Sequence, residues 1–385
     1  MGDSRALLGR LYRAALDGAD PEAAVREALA RPDVARALAG ARSLGLFAVG
    51  KAAAAMARGA RAVDVSRRLV VLPRGHPRLG LPAGDVVFAS HPEPAATSVR
   101  AARRARRFFR GFAEGDAILC LVSGGTSSLL ALPRPGLTLA AKRRAVRALA
   151  SRGASILALN RLRTSLSAVK GGRLGRETRA RLVTLVLSDV PGDRAASVGS
   201  GPTIRGRRGD LVRVVASNRA GLEAAARAAR AAGLRVVRWR KRLAGEARRA
   251  GERLGRAASA LPRGSVLIAG GETTVTLSRP RGRGGRSLEL ALGAALALEA
   301  RGGVTLLAAG SDGLDGSSGA AGAFADGRTV GRARRRRRDA REALARHDTR
   351  ALFAALGDLF VTGPTGGNVG DWVFLARKPF RRRPV

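Results

Sequence analysis

Short apolar runs recur along the chain, each closing on a glycine-rich polar turn and each followed by an alanine-rich stretch of helical character. Residues 46–49 lead into Gly50-Lys51 and a helix to Arg61, residues 118–122 into Ser123-Gly124-Gly125-Thr126-Ser127-Ser128, and residues 182–187 into Ser188-Asp189-Val190-Pro191-Gly192-Asp193. Residues 266–269 precede Gly270-Gly271-Glu272-Thr273-Thr274, residues 304–309 precede Gly310-Ser311-Asp312-Gly313-Leu314-Asp315-Gly316, and residues 359–361 precede Thr362-Gly363-Pro364-Thr365-Gly366-Gly367-Asn368. This alternation predicts a layered α/β protein with largely parallel sheets. Turns at strand carboxyl ends gather on one rim, where ligands bind, so the glycine turns are expected to converge. Residues 218–232 read as a helix capped by Ser217 and stopped by Gly233. Residues 1–20, interrupted by Arg5, Arg10, Arg13 and Asp17, read as an amphipathic helix rather than a signal core.

At 385 residues the chain exceeds what one core usually serves. Two domains are expected, 1–240 and 241–385, with the arginine-rich passage 234–263 holding a strand and a surface helix around the boundary near Arg240. A net charge of +42 raises nucleic acid as a partner, but the arginines are spread through nearly every helical stretch, and aromatics make up 3% of the chain, too few for a base-stacking platform. Only 334–338 and 381–383 form dense runs. No specific nucleic-acid function is expected, only weak adhesion to polyanions. The single cysteine, Cys120, sits in an apolar run, so it reads as buried and excludes a disulfide framework or a cysteine zinc site. The longest uncharged stretch, 117–133, is broken by Ser123-Gly124-Gly125 and is a poor membrane span, leaving the cytoplasm as the default compartment and a homo-oligomer open.

Five lysines stand among 71 basic residues, and two of them, Lys51 and Lys170, lie beside glycine in Val49-Gly50-Lys51-Ala52 and Lys170-Gly171-Gly172. Where arginine is otherwise the default cation, such a lysine marks a place that needs a compact ammonium. Gly45-x4-Gly50-Lys51 resembles a phosphate-binding P-loop in spacing only: its four central residues belong in a strand, and Ala52 replaces the magnesium-binding hydroxyl. Lys51 is retained as an anion or phosphoryl contact. Ser123, Gly124, Gly125, Thr126 and Ser127 offer unobstructed amides and hydroxyls to a carboxylate or phosphate, without the Gly-x-Ser-x-Gly spacing of a hydrolase elbow. Carboxylates recur beside the turns (Asp189, Asp193, Glu272, Glu289, Asp312, Asp315, Asp371), as a magnesium site using few protein ligands requires. Gly284-Gly285-Arg286 provides a bidentate clamp. His76, His91 and His347 lack metal-ligand spacing, and His347 reads as a surface helix residue. The ensemble points to phosphoryl transfer, in which positioning and charge neutralisation do most of the catalysis.

In order, these motifs resemble the glycerate 2-kinase family with its C-terminal MOFRL domain. The resemblance spans most of the chain: Val49-Gly50-Lys51-Ala52, residues 121–130, Leu159-Asn160 through Lys170-Gly171-Gly172-Arg173-Leu174, Ser188 to Asp193, Ser200-Gly201-Pro202-Thr203, Gly270 to Val275, Gly282 to Arg286, Ser311 to Gly316, and Thr362 to Thr365 with Asn368-Val369. The resemblance implies a Rossmann-like N-terminal domain, a MOFRL-type C-terminal domain and an active site in the interdomain cleft. It also implies phosphorylation of D-glycerate at its 2-hydroxyl by ATP with Mg2+ or another divalent cation. On that basis Lys51, Arg286 and Asp189 are the expected catalytic residues. Ser123, Gly124, Gly125, Thr126, Ser127, Lys170, Glu272 and Asn368 are expected to bind substrate or phosphate, and Asp193, Asp312 and Asp315 to bind metal. Departures from the family pattern stand at Ser90-His91-Pro92, Arg194, Ser287-Leu288, Gly367 and Gly370. They leave as alternatives another small hydroxy acid as acceptor, a weakly active homologue, or a polyanion-binding protein on the same fold.

Overall fold

The computed structural model describes residues 2–153, 156–277 and 282–377. Lys378 and the arginines at 381–383 lie outside them. Contacts divide the chain into two compact units, residues 20–217 and residues 1–19 with 218–385. The division thus falls at Ser217/Asn218 rather than near Arg240, and the first helix joins the C-terminal part. The helix Gly2–Asp17 buries Leu8, Leu11, Tyr12 and Ala15, and the Tyr12 hydroxyl donates to Gly310 O at 2.8 Å. The Tyr12 ring meets that of Trp372 edge-on at 5.8 Å.

In the 20–217 unit the strands are β1 (Leu44–Val49), β2 (Arg67–Pro73), β3 (Val86–Ala89), β4 (Ala117–Val122), β5 (Arg181–Ser188) and β6 (Leu211–Ser217). They form one sheet in the order β3-β2-β1-β4-β5-β6, every neighbouring pair parallel. This is the Rossmann order, whose topological switch point lies between β1 and β4. Helices cover the sheet, so the central strands are apolar without alternation: all six residues of β4, Cys120 included, are buried. The residues that mimic a P-loop, 46–49, lie within β1, as their apolar character requires.

In the other unit the strands are β7 (Arg235–Arg238), β8 (Ser265–Gly271), β9 (Val304–Gly310), β10 (Gly322–Asp326), β11 (Leu359–Phe360) and β12 (Asp371–Arg377). Their order is β11-β10-β9-β12-β8-β7. This sheet is mixed, not largely parallel, because β12 runs antiparallel to both β8 and β9, and β10 antiparallel to β9 and β11. Glycine turns do not announce β10 or β12. β12 fills the slot between β8 and β9 with the buried run Trp372 to Ala376.

The six glycine turns therefore sort into two rims. Those after β1, β4 and β5 share one edge of the parallel sheet. Those after β8, β9 and β11 share one edge of the mixed sheet, since two antiparallel steps restore direction. The amino end of β12 opens on that second rim, with Asp371 in register with both Gly271 and Gly310.

Candidate active site

At the switch point the turns after β1 and β4 are laced together. Lys51 N–H donates to Gly124 O at 2.9 Å, Ser123 N–H to Val49 O at 3.0 Å, and Ala52 N–H to Ser123 Oγ at 3.1 Å. Thr126 Oγ1 donates to Ser123 O at 2.7 Å. Gly50 takes φ +126°, and a Cβ there would strike Ser123 and the Gly124 carbonyl. A Cβ on Gly124 would strike Asp189 Oδ2, and one on Gly125, at φ +86°, would press on the His91 ring at 3.2 Å and on Lys51 Cγ at 3.3 Å. The glycines are thus what allow the Lys51 side chain, an imidazole and a carboxylate to meet one bare stretch of backbone.

Burial, with Lys51 and then His76 nearby, pushes the His91 imidazole down to about 4, so it is neutral at pH 7 and adds no second cation beside Lys51. Ser128 Oγ, which donates to Pro92 O at 2.6 Å, ties the His91 segment to the turn. Lys170 is 3% exposed and donates to Ser127 Oγ. Burial, reinforced by Lys142 and Arg163, pushes its ammonium down to about 7. Asp193 lies half-buried at φ +49° in the turn after β5. The parallel sheet therefore gathers Lys51, Ser123 to Ser127 and Asp189, with Lys170 joined through Ser127. His91 belongs with them, and its signal was the histidine of Ser90-His91-Pro92.

On the other rim Arg286 opens the helix Arg286–Ala297. Its fork is already engaged: Nη2 donates to Asp371 Oδ1 at 3.0 Å, Nε lies 2.7 Å from Asp371 Oδ2, and Nη1 donates to Glu272 Oε1 at 2.5 Å. The expected open clamp is closed on protein carboxylates, because β12 delivers Asp371 to this rim. Burial pushes the Asp371 carboxyl up to about 7 against the pull of Arg286. Asp315, 2% exposed, spends both oxygens as acceptors for the amides of Ser287 (3.0 Å) and Leu288 (2.9 Å). It holds the helix start, which is a different duty from the expected metal ligation. Asp312 Oδ1 accepts from Leu314 N–H at 3.2 Å, and Asn368 Oδ1 accepts from Gly370 N–H at 3.3 Å, so both sit in local turns.

His347, read from sequence as a surface residue, is 9% exposed, with Nδ1 2.8 Å from Glu289 Oε1. Burial raises the Glu289 carboxyl, and the imidazole meets it inside the core. Asn218, which no motif marked, donates to the carbonyls of Val369 (3.0 Å) and Asp371 (3.1 Å) and so fixes the entry to β12.

Among the described residues no group of three or more His, Cys, Asp or Glu side chains is placed to hold a metal ion by itself. A magnesium ion needs only one or two carboxylates when phosphates complete its shell. Four carboxylates (Glu272, Asp312, Asp315, Asp371) couple electrostatically to Arg286. Since Asp315 is committed to amides and Asp371 to the Arg286 fork, Asp312 fits the metal-ligand role best.

A Rossmann-ordered sheet that brings Lys51, His91 and Asp189 around bare glycines at its switch point defines an α/β protein with its candidate ligand site there. The family profiles agree in extent: the domain of unknown function DUF4147 matches residues 7–231, and the MOFRL family matches residues 265–371. The chain is 32% identical to the D-glycerate 2-kinase of Thermotoga maritima, over 94% of this chain and 96% of that protein. It is 31% identical to the glycerate 2-kinase of Pyrococcus horikoshii, over 96% and 97%. It is 38% identical, over 96% and 93%, to an Agrobacterium vitis protein named "Putative hydroxypyruvate reductase". The crystal structure of glycerate kinase from Thermotoga maritima matches with a TM-score of 0.87 at 31% identity, covering 98% of this chain and 100% of that one. The chain belongs to the glycerate 2-kinase family of the DUF4147–MOFRL type.

Proposed function

We propose that the protein transfers the γ-phosphoryl group of ATP to the 2-hydroxyl of D-glycerate, giving 2-phosphoglycerate and ADP. The observation that carries this reading is the meeting of Lys51, Asp189 and the Ser123-Gly124-Gly125 turn at the switch point of the parallel sheet. Asp189 accepts the proton of the 2-hydroxyl as its oxygen bonds to phosphorus and the bond to the β–γ bridging oxygen breaks. The Lys51 ammonium and the free amides of the turn offset charge on the phosphoryl oxygens in transit. Lys170 serves as a further anion contact. In the other unit Asp312 would hold a divalent cation, which when bound neutralises phosphate charge. Arg286, fixed by Asp371 and Glu272, has N–H groups left over to meet an anion.

Reduction of hydroxypyruvate is the less favoured reading. A dinucleotide fold of this order carries Gly-x-Gly-x-x-Gly after its first strand and an acidic residue about 20 residues on. Here β1 runs into Gly50-Lys51-Ala52-Ala53-Ala54, and β2 ends in Leu72-Pro73 with Arg74 next. The test is ADP release with D-glycerate, ATP and Mg2+, with the product's phosphate position read by NMR. Lys51→Ala should lower turnover about a hundredfold or more, the scale of losing a transition-state charge contact. Unchanged turnover would remove Lys51 from the catalytic group, and a 3-phosphoglycerate product would overturn the assigned acceptor hydroxyl.

A further inference from the structure

Beside the glycine turn, the 20–217 unit buries positive charge that no ion pair among the described residues balances. Lys142, in the first turns of the helix Leu139–Ser151, is 6% exposed, and its Nζ has no hydrogen-bond partner. Its strongest charged neighbours are Arg163 and Arg173, and those of Lys170 are Lys142 and Arg163, all of them cations. Arg173 is accounted for, since its Nη1 donates to the carbonyls of Thr164 (2.7 Å), Ser167 (3.0 Å) and Lys170 (3.2 Å). Arg163 Nη1 donates to the neutral Asn160 Oδ1 at 3.2 Å, and Lys170 to Ser127 Oγ. Among the described residues the ion pairs include none of Lys142, Arg163 and Lys170.

Burying an unpaired ammonium is costly, and two more cations beside it raise the cost. Such a group is retained where a ligand brings the missing negative charge. The choice of cation carries the same message. In a chain with five lysines among 71 basic residues, two of the five meet here, where three rotatable N–H donors on a compact head suit a small oxyanion.

We propose that Lys142, Arg163 and Lys170 form an oxyanion subsite that borders the glycine turn through Ser127 and holds the carboxylate of the acceptor acid. The choice of carboxylate over donor phosphate rests on the kinase reading, in which Lys51 and the Gly124-Gly125 turn serve the phosphoryl group.

The experiment compares the full chain with Lys142→Met and Lys142→Arg. Calorimetry measures binding of D-glycerate and of inorganic phosphate without turnover. Steady-state kinetics then give KM for D-glycerate and for ATP separately, and thermal melting reports folding. Lys142→Met should weaken D-glycerate binding about tenfold or more, raise KM for D-glycerate by the same factor, and leave KM for ATP within about twofold. Lys142→Arg should recover part of the loss. Lys142→Met should also melt higher than the parent protein, because it removes a buried charge that only the ligand balances. If KM for ATP rises instead, the subsite stands and its occupant is a donor phosphate. If the parent releases no ADP with D-glycerate while Lys142→Met loses phosphate binding, the kinase assignment fails and the subsite survives. Unchanged binding of both anions, whatever the melting temperature, overturns the proposal.

Discussion

Gly124→Ala asks whether the turn after β4 is bare in order to admit Asp189. An added Cβ would strike Asp189 Oδ2 and lie 2.9 Å from its Cγ, and no other group stands closer than 3.5 Å. The backbone at Gly124 lies outside the left-handed region, so alanine is not strained there and the cost is steric alone. Overpacking by one methyl typically costs about 1–3 kcal/mol, and the lower entropy of the unfolded alanine chain returns about 0.4–1 kcal/mol. The Asp189 side chain is half-buried and has a short way to swing, so the protein should lose only about 1–2 kcal/mol. The carboxylate, however, must leave its place. A displacement on the order of 1 Å costs about a hundredfold in rate when the displaced group is the base. Urea unfolding, kcat and both KM values measured on the same preparation check this: stability nearly kept, kcat down about a hundredfold, KM for ATP within about threefold. If kcat stays within about twofold of the parent while Asp189→Asn abolishes turnover, the base does not depend on the space that glycine provides, and the reasoning is wrong.

Other outcomes follow from the same geometry. Asp315→Ala orphans two buried amides at the start of the helix Arg286–Ala297, so chemical denaturation in metal-free buffer should show a loss of about 2–4 kcal/mol; equal stability there, with a loss appearing only when Mg2+ is added, would restore Asp315 as a metal ligand. The two buried lysines predict a pH dependence. The unfolded chain keeps its lysine protons up to about 10.5, whereas folded Lys170 releases its proton near 7 and Lys142 near 8. Between those limits the unfolded state binds more protons, so stability of the unliganded protein should rise with pH from about 7 to about 10.5, by at most about 1.4 kcal/mol per pH unit for each lysine. Denaturant midpoints across that range measure the slope, and Lys170→Met should flatten the contribution that begins near 7; an unchanged slope would mean Lys170 is solvated rather than buried.

The two rims show what sequence logic can reach. Each rim turn was marked by glycine after an apolar run, and the choice of lysine over arginine at residue 51 pointed to the turn that the fold places at the switch point, because local chemistry writes such features contiguously. The same logic applied to Lys142, which stands in a helix without a glycine beside it, so the surroundings that make it unusual come from residues 163, 170 and 173 and are visible only in the fold.

The order of apolar runs and glycine turns was enough to establish an α/β protein, the strand character of residues 46–49, the burial of Cys120 and the family motifs. Those properties depend on a residue and its near neighbours. Tertiary structure alone decided that the first helix packs with the last strands, that β12 enters antiparallel between β8 and β9, that Asp371 therefore closes the Arg286 fork, and that Asp315 is spent on two amides. Each of these pairs residues far apart in the chain, and burial and partner choice at such distances are set by sheet register and helix packing, which no local pattern encodes.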